Sequence, residues 1–199
     1  MSRPDPWPPA DLHCVRLAFS TLKPGTRLHR FHARAFHPIY FDRSLMGRLN
    51  APDGSYGVLY TAKHRLGAFA ETFLRQPGRT LLPHDLMIAK ASTTIEVTGA
   101  LRVVRLYGPA LAKVGCTAQV THGALPYHLP QAWSKAIHDH PAQPDGIAYR
   151  SRHDDNQICY AIFERALSKV AVAHRELDLD QDWFYELANH YRVGVAPGP

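Results

Sequence analysis

The chain has 199 residues, 45% hydrophobic and 20% charged, with a formal net charge of +6. That balance excludes a largely disordered chain, supports one sizeable hydrophobic core, and attracts anions without saying which. Cys14, Cys116 and Cys159 are too few and too scattered for a disulfide framework, which points to a reducing, cytoplasmic setting. Met1 to Ala10 carries Arg3, Asp5 and four prolines rather than the apolar run of a secretory signal, and no stretch has the length and apolarity of a transmembrane helix.

Met1 to Pro9 reads as a proline-rich arm, and Asp11 to Thr21 as a short helix before the Lys23-Pro24-Gly25 turn. Leu28 to Phe36 reads as a strand, His37 to Asn50 as loop, and Asn50-Ala51-Pro52-Asp53-Gly54 as turn. Gly57 to Ala62 alternates Val58, Tyr60 and Ala62 against Leu59 and Thr61, the period of a strand. From His64 to Gln76, Leu66, Phe69, Ala70, Phe73 and Leu74 recur at helical spacing until Pro77-Gly78.

Further strands are expected at Leu86 to Lys90, Thr94 to Val97, Leu101 to Leu106, Gly146 to Ser151 and Val170 to Ala173. Ile158 to Leu167 fits strand or helix. Helices are expected at Leu129 to His138, with Pro130 in the first turn, and at Asp180 to Tyr191. The order lacks a regular βαβ rhythm, so the fold class is α+β: a single compact domain with a mixed, largely antiparallel sheet and flanking helices. Residues 1–26 form an N-terminal arm in this reading, 27–175 the main domain, and 176–199 a C-terminal helix and tail.

Arg48 on the loop, Tyr60 on the strand and Glu71 on the helix follow one another closely enough to meet at one ligand. A cation neutralises phosphate, an aromatic ring stacks on a base, and a carboxylate steadies positive charge developing on a sugar. Each has a plainer reading. Glu71 stands four residues before Arg75, the spacing of a surface pair, although Gly67 one turn earlier leaves room for a ligand. Tyr60 suits a core tyrosine whose hydroxyl finds a backbone partner, and Arg48 suits a solvated loop. Arg30, between His29 and Phe31, needs a carboxylate or an anionic ligand.

In the segment Asp145 to Arg152, Tyr149 and Ser151 face one way and Arg150 and Arg152 the other if the strand continues. Ser151 there is a phosphate or ribose ligand or a polar strand end; no G-x-S-x-G elbow marks it as a nucleophile. His29 with His32, and His138-Asp139-His140, match no zinc pattern, so no metal site is expected. Neither G-x-G-x-x-G nor a P-loop is present.

The ordered set Arg30, Gly47-Arg48, Tyr60, Glu71 and Tyr149-Arg150-Ser151-Arg152 resembles the RES-domain family, from about Leu28 to Val172. Its most specific pieces are Tyr60-Thr61-Ala62 leading to Ala70-Glu71-Thr72, and Gly146 to Arg152 followed by Ala161-Ile162-Phe163. Leu49 stands where the family commonly has an aromatic residue after Gly-Arg. The resemblance implies a fold similar to ADP-ribosyltransferases and a toxin that depletes NAD by hydrolysis or phosphorolysis of the nicotinamide-ribose bond. It implies neutralisation by a helix-turn-helix antitoxin covering the active site. It also makes Glu71, Tyr60 and Arg48 the catalytic set and Arg30, Ser151, Tyr149 and Arg152 the substrate-binding set.

No cofactor is implied, since NAD is substrate and inorganic phosphate a candidate co-substrate. Self-association stays open. The alternatives are ADP-ribosyl transfer to a protein or nucleic acid, and, ranked lower, a basic RNA-binding protein or nuclease, against which stands the lack of a nucleic-acid-recognition motif.

Overall fold

β-branched and apolar runs bounded by turns become strands, and the computed structural model describes residues 7–198 of the chain. In chain order the first strands are β1 (Phe19–Leu22), β2 (Arg27–Ala33) and β3 (Val58–Ala62), followed by helix α1 (Arg65–Phe73). Then come β4 (Leu81–Leu82), α2 (His84–Ile88), β5 (Lys90–Val97) and β6 (Leu101–Leu106). Helices α3 (Pro109–Lys113), α4 (Gln119–His122) and α5 (His128–His138) lead to β7 (Gly146–Arg150) and β8 (Ile158–Phe163). The chain closes with β9 (Val170–Glu176), α6 (Asp182–His190) and β10 (Gly194–Val195).

Eight strands form one sheet in the order β1-β6-β7-β8-β3-β2-β5-β9, and β4 with β10 makes a small second sheet. Within the large sheet only β6 and β7 run parallel, so the α+β class and the largely antiparallel sheet are observed as expected.

Two expectations are corrected and one left open is decided. Asp11 to Thr21 is not a helix: one 3₁₀ turn covers Leu12–Cys14, and Phe19–Leu22 is an edge strand because its backbone groups pair with β6 from Val104 to Leu101. Leu86 to Lys90 is not a strand, since its apolar residues belong to α2, which starts after Pro83 and carries Asp85 in its first turn, where a carboxylate suits the helix dipole. Ile158 to Leu167 resolves into both options, strand to Phe163 and a 3₁₀ segment over Glu164–Lys169. The proline-rich arm lies outside the described residues up to residue 6.

Each sheet face carries a core. On one face α1, α5 and α6 bury Phe69, Phe73, Trp133, Ile137 and Phe184 against Val58, Ala161 and Ile147, each large side chain contributing about 1.5–3 kcal/mol. Phe31 on β2 meets Phe73 edge-on at 5.2 Å and Phe184 at 6.1 Å, which seats α1 and α6 on the same strand. On the other face Leu28, Leu59, Ile95, Val103 and Ile162 pack together under Ile39 and Phe41 of the long loop.

Candidate active site

β2 matches β5 over its full length from Arg27 to Ala33, and β3 matches β8 from Val58 to Ala62, but β2 and β3 share only the pair His29 and Ala62. Beyond that pair the two strands splay. The gap is a cavity of about 400 Å³, walled by Arg30, Phe31, Tyr60 and Thr61 from the parted strands. Glu71 and Arg75 of α1, the loop from Met46 to Leu49, and Tyr149, Arg152 and His153 complete it. Its size falls in the range of small-molecule sites, about 300–1,000 Å³.

Glu71 makes no ion pair with Arg75; Arg75 Nε donates instead to the Glu71 backbone carbonyl at 2.9 Å. The carboxylate is held by Ser151, whose Oγ donates to Glu71 Oε1 at 2.7 Å. Glu71 Oε2 has no hydrogen bond among the described residues and sits on an α1 face that lines the cavity. Gly67 works differently from the expectation that it leaves space for a ligand: a Cβ there would stand 3.0 Å from Gln157 Cβ and 3.1 Å from Ala62 Cβ. Its missing side chain lets the loop after β7 press against α1, which is how Ser151 reaches Glu71.

Ser151 is fully buried. It accepts a hydrogen bond from the His153 amide at 3.1 Å as well as donating to Glu71, so its hydroxyl stands behind the carboxylate rather than on the cavity wall. Arg152 does line the cavity, against the alternation that turned it away from Ser151. The strand ends at Arg150, and the chain bends there, with the Ser151 amide donating to Gln157 O at 3.0 Å. Tyr149 is buried and lines the cavity, and burial together with the Glu71 charge pushes its phenol well above the usual range.

Tyr60 finds partners for its buried hydroxyl and also borders the cavity. Its ring lines the cavity, while its hydroxyl accepts from the Leu49 amide at 2.8 Å and donates to Asn50 Oδ1 at 2.9 Å. Burial raises this phenol too, so it is neutral at physiological pH. Asn50 is itself fully buried and donates from Nδ2 to Asp42 Oδ2 at 2.9 Å and to Ser44 O at 2.7 Å. From α5, Gln131 donates to Leu45 O at 2.8 Å, and Ser134 donates to Leu49 O at 2.6 Å. The loop is thereby fixed on both sides. It carries Arg48, which donates to Thr121 O at 2.7 Å and stands 5.7 Å over the Tyr127 ring.

Arg30 has no ion pair or hydrogen bond among the described residues, and its Nε and Nη1 are buried without a partner. Burial lowers its guanidinium to about 10, with Asp42 opposing the shift, so it stays charged at neutral pH. An unpaired charge in that position is costly unless something anionic meets it. His29, also on the wall, is lowered to about 4 by burial and by Arg65, and is neutral. Burial lowers His153 likewise, against the pull of Glu71.

Sequence alone singles out neither the loop anchors Gln131 and Ser134 nor the wall residue His153, and gives Asn50 only as a turn residue and His29 only as a metal candidate. Of the anchors, only Asn50, two residues after Arg48 in a turn, carries a local signal. The His138-Asp139-His140 group lies elsewhere: His138 stacks on Tyr56 at 3.8 Å, and His140 meets Val15 O at 3.2 Å. Among the described residues no three His, Cys, Asp or Glu side chains converge as a metal site.

The sequence model of the RES domain matches residues 15–185. No curated protein matches the chain. A chain in the crystal structure of the M. tuberculosis MbcT-MbcA toxin-antitoxin complex has the same fold, with a TM-score of 0.68 at 17% identity, over 85% of this chain and 92% of that one.

Proposed function

The chain belongs to the RES-domain family, and from that premise we propose that it is the toxin of a toxin-antitoxin pair and removes NAD by breaking the nicotinamide-ribose bond. The observation that carries the reading is a pairing within one cavity: a carboxylate steadied by Ser151, and the buried, unpartnered guanidinium of Arg30. A dinucleotide supplies what each lacks, a diphosphate for the cation and a ribose that becomes positive during bond breaking.

Nicotinamide in NAD is a cationic leaving group. When the C1′–N bond breaks, its electron pair goes to the pyridine nitrogen and the positive charge passes to the ribose as an oxocarbenium. Glu71 Oε2 stabilises that charge, and a preorganised carboxylate away from bulk water does so without reorganising. Arg30, Arg48 and Arg152 hold the diphosphate, which fixes the scissile bond relative to Glu71. Water then attacks C1′ and releases a proton, giving ADP-ribose; inorganic phosphate in its place gives the 1″-phosphate of ADP-ribose. A helix-turn-helix antitoxin is the proposed partner, and the toxin-antitoxin neighbour of the same fold supports a partner of that role.

The test is NAD consumption by the purified chain with and without inorganic phosphate, with nicotinamide, ADP-ribose and ADP-ribose phosphate separated by chromatography. Cleavage is expected in the wild type and is lost by about a hundredfold or more in a folded Glu71→Gln variant. Label from NAD retained on a macromolecule selects transfer instead. A folded, antitoxin-free chain that leaves NAD intact sinks the reading.

A further inference from the structure

The connection between β7 and β8, residues 151–157, brings Ser151 behind Glu71 and places Arg152 and His153 on the cavity wall. Its own hydrogen bonds close it on itself: Gln157 N to Asp154 O at 2.9 Å, Asn156 N to Asp154 Oδ1 at 3.0 Å, and Ser151 N to Gln157 O at 3.0 Å. None of these fixes it against α1. Arg150, next to it on β7, reaches the Asp155 carbonyl. The tie from a distant element is Tyr191, whose hydroxyl donates to Asp154 Oδ2 at 2.7 Å and lies 3.3 Å from Leu66 O on α1.

Tyr191 is well placed for this. It caps α6, and its ring stacks on Phe69 at 5.8 Å and 7°, two residues before Glu71 on the same helix. The next residue, Arg192, takes φ of 54°, and Val193 N donates back to Ala188 O at 3.0 Å, so the chain reverses immediately after the tyrosine. Tyr191 also lies beyond the RES-matched segment, which ends at residue 185.

We infer that Tyr191 is a positioning residue of the active site: through Asp154 it holds the 151–157 loop on α1, and so keeps Ser151 bonded to Glu71 with the carboxylate aimed into the cavity. The ring and the hydroxyl divide the work. Stacking on Phe69 secures Tyr191 to α1, while the hydroxyl, given to Asp154, adds a second hold on the loop beside the Ser151–Glu71 bond. The kinetic side of this inference rests on the proposed NAD cleavage; its structural side does not.

Tyr191→Phe separates the two, because it keeps the ring and removes only the hydroxyl. The expected result is an unfolding midpoint close to wild type, with faster hydrogen exchange at the Ser151 and His153 amides. For nicotinamide release from NAD, kcat falls about tenfold with KM little changed, as expected when a transition-state interaction is loosened. Asp154→Ala reproduces the loss, and the double variant is no worse than either single one, since both remove one interaction. Wild-type exchange at the two amides in Tyr191→Phe overturns the inference, as does a double-variant loss equal to the product of the two single losses. A wild-type chain inert toward NAD refutes the cleavage reading alone, and the exchange measurement then decides the role of Tyr191.

Discussion

Ser151 Oγ donates a 2.7 Å hydrogen bond to Glu71 Oε1 across 80 residues of sequence, and Ser151 has no exposed surface. The pair commits one carboxylate oxygen and leaves the other without a hydrogen bond among the described residues, on a side chain that lines the cavity. Ser151→Ala removes the restraint and leaves the His153 amide without its 3.1 Å acceptor. The expected cost is about 1–2 kcal/mol of folding stability and a roughly ten- to hundredfold loss of kcat with KM within about threefold. Steady-state kinetics beside a urea titration checks both, and an unchanged kcat removes the orienting role.

Arg30 inverts the usual link between removal of a group and loss of stability. Its guanidinium is desolvated, is lowered to about 10 and has two buried nitrogens without partners. Arg30→Met keeps most of the volume and discards the uncompensated charge, so the ligand-free protein gains about 1–2 kcal/mol. Inorganic pyrophosphate raises the unfolding midpoint of the wild type by mass action and does so much less in the variant. A variant that unfolds earlier than wild type and still responds to pyrophosphate places the diphosphate elsewhere.

Local parts of this site were legible and distant ones were not. Tyr60 and Glu71 lie on a consecutive strand and helix, β3 and α1, so spacing alone put them together. The Ser151 contact depends on the close approach that Gly67 allows to Gln157, which no periodicity announces. Arg152, which the resemblance set among the substrate-binding residues, lines the cavity because β7 ends at Arg150 and strand alternation stops there. Phe19 to Leu22 and Leu86 to Ile88 are short apolar stretches without a full period, and tertiary pairing in one case and Pro83 in the other decided them.

Asn50 joins the loop bearing Arg48 to β3 through the Tyr60 hydroxyl, and to Asp42 and the Ser44 carbonyl through its amide. Gly47 is part of the same design: a Cβ there would fall 2.2 Å from Asn50 Oδ1. Asn50→Ala strands the buried Tyr60 proton, while Asp42 keeps the Ser44 amide and hydroxyl as donors, so the cost is about 1–3 kcal/mol. Because Arg48 rides on this loop, KM for NAD rises several-fold, beyond any change in kcat. Binding measured below the unfolding transition separates the two effects, and wild-type affinity in a destabilised variant confines Asn50 to folding.

His29 and His32 give the fold a pH dependence of definite sign. Burial lowers both to about 4, in His32 against the opposing pull of the 2.9 Å hydrogen bond from its Nδ1 to Ala33 O. In the unfolded chain each titrates near 6.5. Between pH 6.5 and 4 the unfolded state therefore binds protons that the folded state refuses, and stability rises with pH across that window. The stabilisation is complete above about pH 6.5 and is lost progressively as pH falls toward 4. Unfolding midpoints across this range are expected to fall steadily on acidification, and the His29→Gln/His32→Gln double variant, though less stable at pH 7.5, falls with a shallower slope. Equal slopes in the two proteins assign the acid sensitivity to other groups.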